Sequence, residues 1–361
     1  MREHRDPVPA RLKAGKLPAP LLAKLLSRIE RKDPRVLTGP GIGEDAALIS
    51  FGASTLIAKT DPVTFATDLA GWYAVQVNAN DIAACGGVPK WFLATVLLPE
   101  GTSPELAEGI FEQIRDAAGK LGVELVGGHT EVTIGLPRPI VVGLMLGEAP
   151  ASRTLSTSGA RVGDVLVLTK GIAIEGTALL AREAADRLAR AGVSSGRIKA
   201  AKELLFEPGI SVVADARAAL AAGGVNAMHD PTEGGLATAL AEVAAAAKCG
   251  LEVDADAVPV LPETVAFCDA LGADPWGLIA SGALLISVTP GAEQGVLSSL
   301  KSAGISGVVI GRLTPPENGL VLVKAGKRGL LPRFERDEIA RLLERGDAVT
   351  IRSHDASGAS R

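Results

Sequence analysis

Four clusters of glycines with acidic or amide side chains constrain the fold of this chain more than any other sequence feature. They lie at 41–45, 78–81, 127–131 and 229–235, where apolar runs typical of strands end or helical patterns begin. Glycine reaches backbone conformations that other residues avoid, and it lets a backbone pass close to a ligand. We therefore expect the clusters to lie at element junctions around one shared site.

The apolar pattern before residue 148 predicts strands alternating with helices, an α+β layer with one sheet. Pro62 favours an extended Asp61, which we expect at a strand end, and Ser103-Pro104 is a helix-start signal. The Gly-Gly-His-Thr-Glu segment at 127–131 is predicted to be a turn. The predicted strands are 46–51, 55–59, 91–98, 123–126 and 140–147, and the predicted helices are 17–29, 69–85 and 103–121.

A polar, loop-like stretch at 148–163 predicts a domain boundary. We expect domains at 30–150 and 160–330, followed by a terminal helix and tail at 331–361. Strands are predicted in the second half at 164–169, 253–258, 278–288, 308–313 and 320–323, and helices at 175–193, 197–205, 211–222, 235–247, 262–271, 291–303 and 334–346.

Composition and charge exclude several classes of protein. The net charge of −4 argues against broad nucleic-acid binding, which needs a basic face. The three cysteines, Cys85, Cys249 and Cys268, form neither a metal-binding pair nor a disulfide framework. No apolar run reaches the roughly 18–20 residues of a membrane span. These features predict a reduced, cytoplasmic protein that does not bind membranes.

Acidic residues in loop-like positions are the main candidates for chemistry. Carboxylates that share one cleft repel one another and stay ionised only beside cations. Mg²⁺ prefers oxygen ligands, and glycine-rich turns offer backbone N–H groups to phosphates. The combination predicts magnesium–nucleotide chemistry, although an acid at a strand end, taken alone, is more often a cap or turn residue. The acids are Glu44, Asp45, Asp61, Asp81, Glu131, Asp230 and Glu233.

Neither a Walker A sequence nor a Gly-x-Gly-x-x-Gly dinucleotide fingerprint is present. His129 and His229 each lie inside a glycine/acid cluster. They are interpreted either as phosphate contacts or general acid–base groups near neutral pH, or as turn histidines bonded to the backbone. The three cysteines are interpreted as packing residues.

In their order along the chain, the clusters resemble the PurM-like superfamily of AIR synthetase, and the last one is most similar to its HypE branch. The resemblance covers roughly residues 30–330. It depends on Gly41-Ile-Gly-Glu-Asp-Ala-Ala47, Thr60-Asp61, Asn80-Asp81-Ile-Ala-Ala-Cys-Gly-Gly-Val-Pro89, Gly127-Gly-His-Thr-Glu131 and Asp230-Pro-Thr-Glu-Gly-Gly-Leu-Ala237.

This resemblance implies a two-domain PurM-like α+β fold. Its N-terminal α/β sheet domain dimerises through the sheet, its C-terminal domain is α+β, and ATP binds in a nearby cleft. It implies Mg²⁺ ligands at Glu44, Asp45, Asp61, Asp81 and Asp230. It also implies nucleotide contacts at Gly41, Gly43, Asn80, Gly127, Gly128, Thr130, Thr232 and Glu233, and catalytic roles for His129, Glu131 and His229.

Two departures from the HypE pattern bear on activity. HypE acts on a cysteine in its C-terminal tail, whereas the last cysteine here is Cys268, so we expect no such reaction on this tail. His129 replaces the aspartate usual in the related turn, so that a metal ligand is lost or is supplied by Glu131.

The expected activity is phosphoryl activation of a carbonyl or amide oxygen by ATP. The alternatives are a small-molecule kinase of the thiamine-monophosphate kinase type and a non-catalytic, nucleotide-binding maturation partner. The sequence does not identify the acceptor, because one fold hosts unrelated reactions.

Overall fold

The first half of the chain folds into one mixed sheet with helices packed against it. The computed structural model describes residues 16–30 and 32–344. The elements of this half are α1 (Ala19–Leu26), β1 (Val36–Thr38), β2 (Ala47–Phe51), β3 (Ser54–Val63), α2 (Ala70–Ala84), β4 (Val88–Pro99), α3 (Pro104–Leu121), β5 (Glu124–Thr133) and β6 (Ile140–Pro150). The strand order is β1-β2-β3-β6-β4-β5, and only β4 and β5 are parallel to each other.

Helix α2 covers this sheet and is buried along almost its whole length. It packs against β3, β6 and α3. Along β4, residues with buried side chains alternate with residues that stay partly accessible, because successive strand side chains point to opposite faces. Helix α2 therefore packs on one face of the sheet, and the other face is only partly covered within the chain.

The second half forms a seven-stranded sheet in the order β13-β12-β9-β11-β7-β10-β8. Its strands are β7 (Val165–Thr169), β8 (Val225–His229), β9 (Gly250–Asp254), β10 (Leu285–Val288), β11 (Gly307–Thr314), β12 (Leu320–Lys324) and β13 (Lys327–Leu330). Its helices are α4 (Ile174–Glu183), α5 (Ala185–Arg190), α6 (Ser195–Glu203), α7 (Val213–Ala222), α8 (Gly235–Ala247), α9 (Pro262–Leu271), α10 (Glu293–Ser302) and α11 (Glu338–Glu344).

The two halves are joined by a shared core. One cluster of buried side chains includes Ile57 and Phe92 from the first sheet together with Ile174 and Phe267 from helices of the second half. The Asn80 side chain bridges the halves as well. Its amide donates to the Ile210 carbonyl at 2.8 Å, and its oxygen accepts from the Val212 N–H at 2.8 Å.

Several predicted elements agree closely with the structure. Helix α3 begins at Pro104, and the Ser103 hydroxyl accepts from the Leu106 N–H, so the predicted helix start is confirmed. Helix α2 also matches its predicted range to within a residue. The predicted α+β architecture is likewise confirmed.

Other predicted elements were wrong. Asp61 lies within β3 rather than at its end, because β3 continues to Val63 against β6. The predicted strand 278–288 is reduced to β10, since residues before it form hydrogen bonds to α4 and to the loop after β8. Strands β1, β8 and β13 were not predicted. The predicted helix 175–193 is divided into α4 and α5, and the predicted strand 253–258 overlaps β9 only at residues 253 and 254.

Helix α11 is described to Glu344, and residues 345–361 of the predicted terminal helix and tail lie outside the described residues. None of the described helices combines the length and the apolar character needed to cross a membrane.

Candidate functional site

A cleft of about 340 Å³ lies where the two halves meet. Its walls come from the loop before β2, from β3 and α2, from the end of β8, and from α8, with the start of the described chain at its edge. It is lined by Lys16, Leu17, Leu22, Gly41, Ile42, Gly43, Glu44, Asp45, Lys59, Asp61, Asp81, His229, Asp230, Thr232 and Glu242.

Lys59 is the cation that compensates the acids of the first half. It shares a face of β3 with Asp61, two residues on, because strand side chains alternate. Its Nζ lies 3.3 Å from Asp61 Oδ2 and 3.0 Å from Asp81 Oδ1. Burial alone would lower the pKa of Lys59, but the charges of Asp81, Asp61 and Asp45 outweigh it and raise that pKa. Lys59 is therefore held as an ammonium.

Asp81 faces the cleft from the C-terminal part of α2 and is almost fully buried. Burial raises the pKa of its carboxyl well above the usual value, even though Lys59 opposes the shift. Oδ1 pairs with Lys59, whereas Oδ2 has no hydrogen-bond partner among the described residues. One lone-pair-bearing oxygen of Asp81 therefore remains available to a bound cation.

His229, the last residue of β8, is held between two carboxylates. Its Nδ1 lies 2.5 Å from Asp45 Oδ1, and its Nε2 lies 3.1 Å from Glu242 Oε2. Burial alone would lower the pKa of His229, but Asp45 and Glu242 raise it well above its ordinary value. Both ring nitrogens are thus engaged, and the ring is an imidazolium that links the two halves.

Asp230 is the most unusual group in the cleft. It is 1% exposed, and neither of its carboxylate oxygens has a hydrogen-bond partner among the described residues. Burial, followed by the charge of Asp45, raises its pKa to about 8. A buried carboxylate without partners is costly, so this position favours a ligand that carries positive charge.

The donors present suit a hard divalent cation. Single ligand atoms of Asp45, His229 and Asp230 all lie within 4.8 Å of one another. Because the imidazole nitrogens already contact carboxylates, the donors left over are carboxylate oxygens, the ligands that Mg²⁺ prefers. The unpartnered oxygens of Asp230, with Asp45 beside it, therefore fit a magnesium ion, and the unpartnered oxygen of Asp81 belongs to the same cleft.

Most of the predicted site residues come together here. Glu44 accepts from the Ser156 hydroxyl at 2.9 Å, and the Lys16 N–H donates to Glu233 at 3.1 Å beside the cleft. Gly43 has a φ of +78°, and a Cβ there would lie 2.9 Å from the Glu242 carbonyl oxygen, so glycine is needed. The predicted residues that line the cleft are Gly41, Gly43, Glu44, Asp45, Asp61, Asp81, His229, Asp230 and Thr232.

Asn80 was predicted to contact nucleotide, but its side chain points away from the cleft. It is fully buried, and both ends of its amide bind the backbone at 210–212. Adjacent helical positions point about 100° apart. Asn80 therefore faces the second half, whereas its neighbour Asp81 faces the cleft. Asn80 holds the two halves together within this chain.

The Gly127–Glu131 segment is not a turn, and that prediction was wrong. It lies inside β5, at the edge of the first sheet, and it does not line the cleft of its own chain. A Cβ on Gly128 would come within 2.0 Å of the Ala94 carbonyl oxygen, so this glycine lets β4 approach closely. His129 and Glu131 are exposed, and they contact each other at 3.0 Å.

Sequence reasoning missed three charged residues of the cleft. Lys59 could have been found from its i,i+2 spacing to Asp61 on a strand. Glu242 is the one acid in the alanine-rich α8. Burying a carboxylate there costs free energy unless it has a partner. Lys16 contacts Glu242 at 3.5 Å and Thr232 at 3.4 Å, and no signal in the sequence indicated it.

Comparison with known proteins identifies the family. Residues 43–149 match the AIR synthase related protein, N-terminal domain, and residues 161–324 match the corresponding C-terminal domain. The chain belongs to this AIR synthase related family.

Among its relatives is the carbamoyl dehydratase HypE of Rhodobacter capsulatus. The two are 30% identical over an alignment of 305 residues that covers 82% of this chain and 85% of the relative. The structure of the hydrogenase maturation protein HypE in complex with ATP is similar, with a TM-score of 0.64 at 23% identity, covering 88% of this chain and 91% of that one. A ThiL structure complexed with AMPPCP and TMP has a TM-score of 0.65 at 20% identity, covering 88% and 94%.

Proposed function

We propose that this protein is a cytoplasmic, ATP- and Mg²⁺-dependent enzyme that activates a carbonyl or amide oxygen by phosphoryl transfer. The observation that carries the proposal is the pair of buried carboxylates, Asp81 and Asp230, with unpartnered oxygens facing one interdomain cleft. Membership of the AIR synthase related family supports the use of ATP, and the relatives named HypE support a dehydratase-type reaction.

Each part of the cleft would have its own task in this reaction. Asp81 and Asp230, with Asp45, Asp61 and Glu44 nearby, would hold magnesium, which neutralises phosphate charge and stabilises the charge that develops during transfer. Lys59 limits repulsion among the acids. Residues 41–43 and 232–233 would contact the phosphates. Catalysis would then rest mainly on positioning and charge neutralisation.

His229 is proposed to act by position. Its contacts with Asp45 and Glu242 would hold the second-half wall of the cleft in a fixed position against the first-half wall. His129 and Glu131 can contribute to catalysis only if a second copy of the chain brings their β5 strand to a cleft. Their catalytic assignment therefore depends on the proposed homodimer.

Phosphate release from ATP tests this proposal. We expect Mg²⁺-dependent turnover that increases when the correct acceptor is added, the first candidates being a HypF-type carbamoyl donor and thiamine monophosphate. Carbonyl activation moves the acceptor oxygen onto phosphate. With an ¹⁸O-labelled carbonyl, mass spectrometry should therefore find the label in the released phosphate.

Two other outcomes would contradict the proposal. A stable phosphorylated product without label transfer identifies a small-molecule kinase, and ATP binding without turnover identifies a non-catalytic partner. A variant with serine at Cys85, Cys249 and Cys268 is the matched control. Cys85 and Cys268 are buried and Cys249 is partly buried, so we expect turnover to survive in this variant. In the wild type incubated with a HypF-type carbamoyl donor and ATP, we expect no cysteine to gain mass.

The uncovered face of the first sheet predicts a homodimer. It carries apolar side chains on neighbouring strands, including Leu93 on β4 and Leu144 on β6, which face each other in the strand register. A second copy would remove this apolar area from water.

Sedimentation at micromolar concentration should give twice the 36.8 kDa mass of the chain. Leu144→Glu should give monomers, whereas Leu106→Glu on the exposed side of α3 should not. A monomeric wild type would refute the prediction.

A further inference from the structure

A second group of buried polar atoms lies deeper between the halves and is not explained by the cleft chemistry. Four side-chain atoms there have no hydrogen-bond partner among the described residues: Tyr73 Oη, Gln76 Oε1, Glu175 Oε2 and Ser281 Oγ. None of these four residues is more than 5% exposed. Leaving a buried polar group unpaired costs about 1–3 kcal/mol, so four such atoms indicate a site that binds something.

Two elements present these atoms. Tyr73 and Gln76 are three residues apart on α2, and Asn80, four residues further on, bonds to the second half. This spacing places all three on one helical face, directed at the second half. Glu175 lies in the first turn of α4. A Cβ on Gly282, the residue after Ser281, would lie 3.1 Å from the Gly209 carbonyl oxygen and 3.2 Å from Ile174 Cβ, so this segment touches both the start of α4 and the backbone segment that Asn80 binds. Burial raises the pKa of the Tyr73 phenol, and the charge of Glu175 raises it further.

A hydrogen-bonded segment connects this group to the cleft. The Glu175 N–H donates to the Ser281 carbonyl at 3.3 Å, and the adjacent Ala280 N–H donates to the Thr232 carbonyl at 3.2 Å. Thr232 lines the cleft. Glu175 is therefore attached, through three residues, to the loop that carries Asp230.

The start of α4 is held rigidly in this place. Ala173, the residue before the helix, has a left-handed φ of 57°. A Cβ on Gly176 would lie 2.4 Å from Leu278 Cγ, so helix and segment are in close contact. Backbone held in a sparsely populated conformation clusters at functional sites. The geometry thus fixes the Glu175 carboxylate rather than leaving it free to turn to solvent.

Glu175 carries one carboxyl oxygen, Oε2, that has no hydrogen-bond partner among the described residues. Burial raises its pKa to about 7, although the neighbouring Ser281 lowers it. The Ser281 hydroxyl is near enough to have this effect, yet it makes no hydrogen bond of ordinary geometry. Ionised Glu175 and the Gln76 oxygen can only accept hydrogen bonds, whereas the two hydroxyls can donate or accept.

We propose that Tyr73, Gln76, Glu175 and Ser281 form an acceptor subsite that binds a nitrogen group carrying N–H donors, an amine or a primary amide. This inference rests on the proposed function, because it assigns the second substrate of the same cleft. Glu175 is a positioning residue within it. It accepts from the N–H group and orients the rest of the acceptor towards the cleft beside Thr232.

Thermal unfolding with small probes tests the subsite without needing turnover. The probes are ammonium and methylammonium for an amine, and acetamide for an amide. The matched controls are tetramethylammonium and N,N-dimethylacetamide, which lack N–H donors. At equal concentration and ionic strength, without ATP, one N–H probe should raise the wild-type midpoint above its control by about 2 °C or more, because a ligand that binds the folded state stabilises it.

Glu175→Gln should lose the difference between N–H probe and control. Its own midpoint at pH 8 should equal or exceed that of the wild type, because a buried charge is removed, so loss of folding does not confuse the result. Tyr73→Phe, which removes only a hydroxyl, should weaken the response. Equal midpoints with probe and control in the wild type, or an unchanged response in Glu175→Gln, would overturn the subsite. Absence of ATP turnover would overturn only the proposed function.

Discussion

Replacing Asp230 by asparagine is expected to reduce Mg²⁺-dependent phosphate release from ATP by roughly 100-fold or more, the effect of losing one charge-stabilising group in an active site. The same change should stabilise the metal-free protein above pH 8. Folding raises the pKa of this carboxyl from 3.8 to about 8. The folded state therefore binds the proton more tightly than the unfolded state, and Asp230 lowers stability progressively as the pH rises from about 4 through 8. Asparagine removes that dependence.

Thermal unfolding with and without Mg²⁺ provides the measurement. At pH 8, magnesium should raise the wild-type midpoint by roughly 5 °C and should have little effect on Asp230→Asn. Asp164→Asn is the matched control. Asp164 is also buried, but its oxygens accept from the Asn226 amide, the Ser287 hydroxyl and the Arg161 N–H. That variant should lose stability and keep the magnesium response. A magnesium response retained by Asp230→Asn would refute the metal assignment.

Lys59→Met is expected to produce the largest loss of stability. Without the ammonium group, Asp61 and Asp81 lose their shared partner, and Asp81 is almost fully buried. Removing one member of a buried ion pair costs about 3–5 kcal/mol, because the remaining charge is left uncompensated. Denaturant unfolding at pH 7 without metal should show this loss. Magnesium should recover part of it, since the ion would supply the missing positive charge.

The exposed pair Arg35–Asp33 offers the control for Lys59. Both side chains are exposed, and exposed ion pairs contribute little to stability because solvent screens their charges. Arg35→Met should therefore change the free energy of unfolding little and should not alter the effect of magnesium. If Lys59→Met were no less stable than Arg35→Met, Lys59 would not be the counter-charge of the cleft.

Three acids that the sequence singled out, Asp61, Asp81 and Asp230, line one cleft in the structure. Their role as metal ligands stays a prediction. The alternation of apolar runs also predicted most strands and helices of the first half. Both results follow from short-range patterns, because the spacing of apolar residues reports which face of an element is buried.

What the sequence did not reveal depends on distant parts of the chain. A turn was predicted at Gly127 and Gly128, because two glycines in succession usually break a strand. Here the second one is required by the Ala94 carbonyl of the neighbouring strand. The Asp45–His229 contact joins residues 184 positions apart. Lys16 reaches the cleft from the start of the described chain. No local pattern carries such information.

Helix α2 leaves almost no freedom for insertion or deletion during evolution. Asn78 binds the β3 backbone, Asn80 binds the second half, and Asp81 faces Lys59 in the cleft. One residue gained or lost between them would turn every later side chain by about 100°. The carboxylate would leave the cleft and the interdomain bridge would break together. Related chains should therefore vary at their loops and termini while keeping the length of this segment.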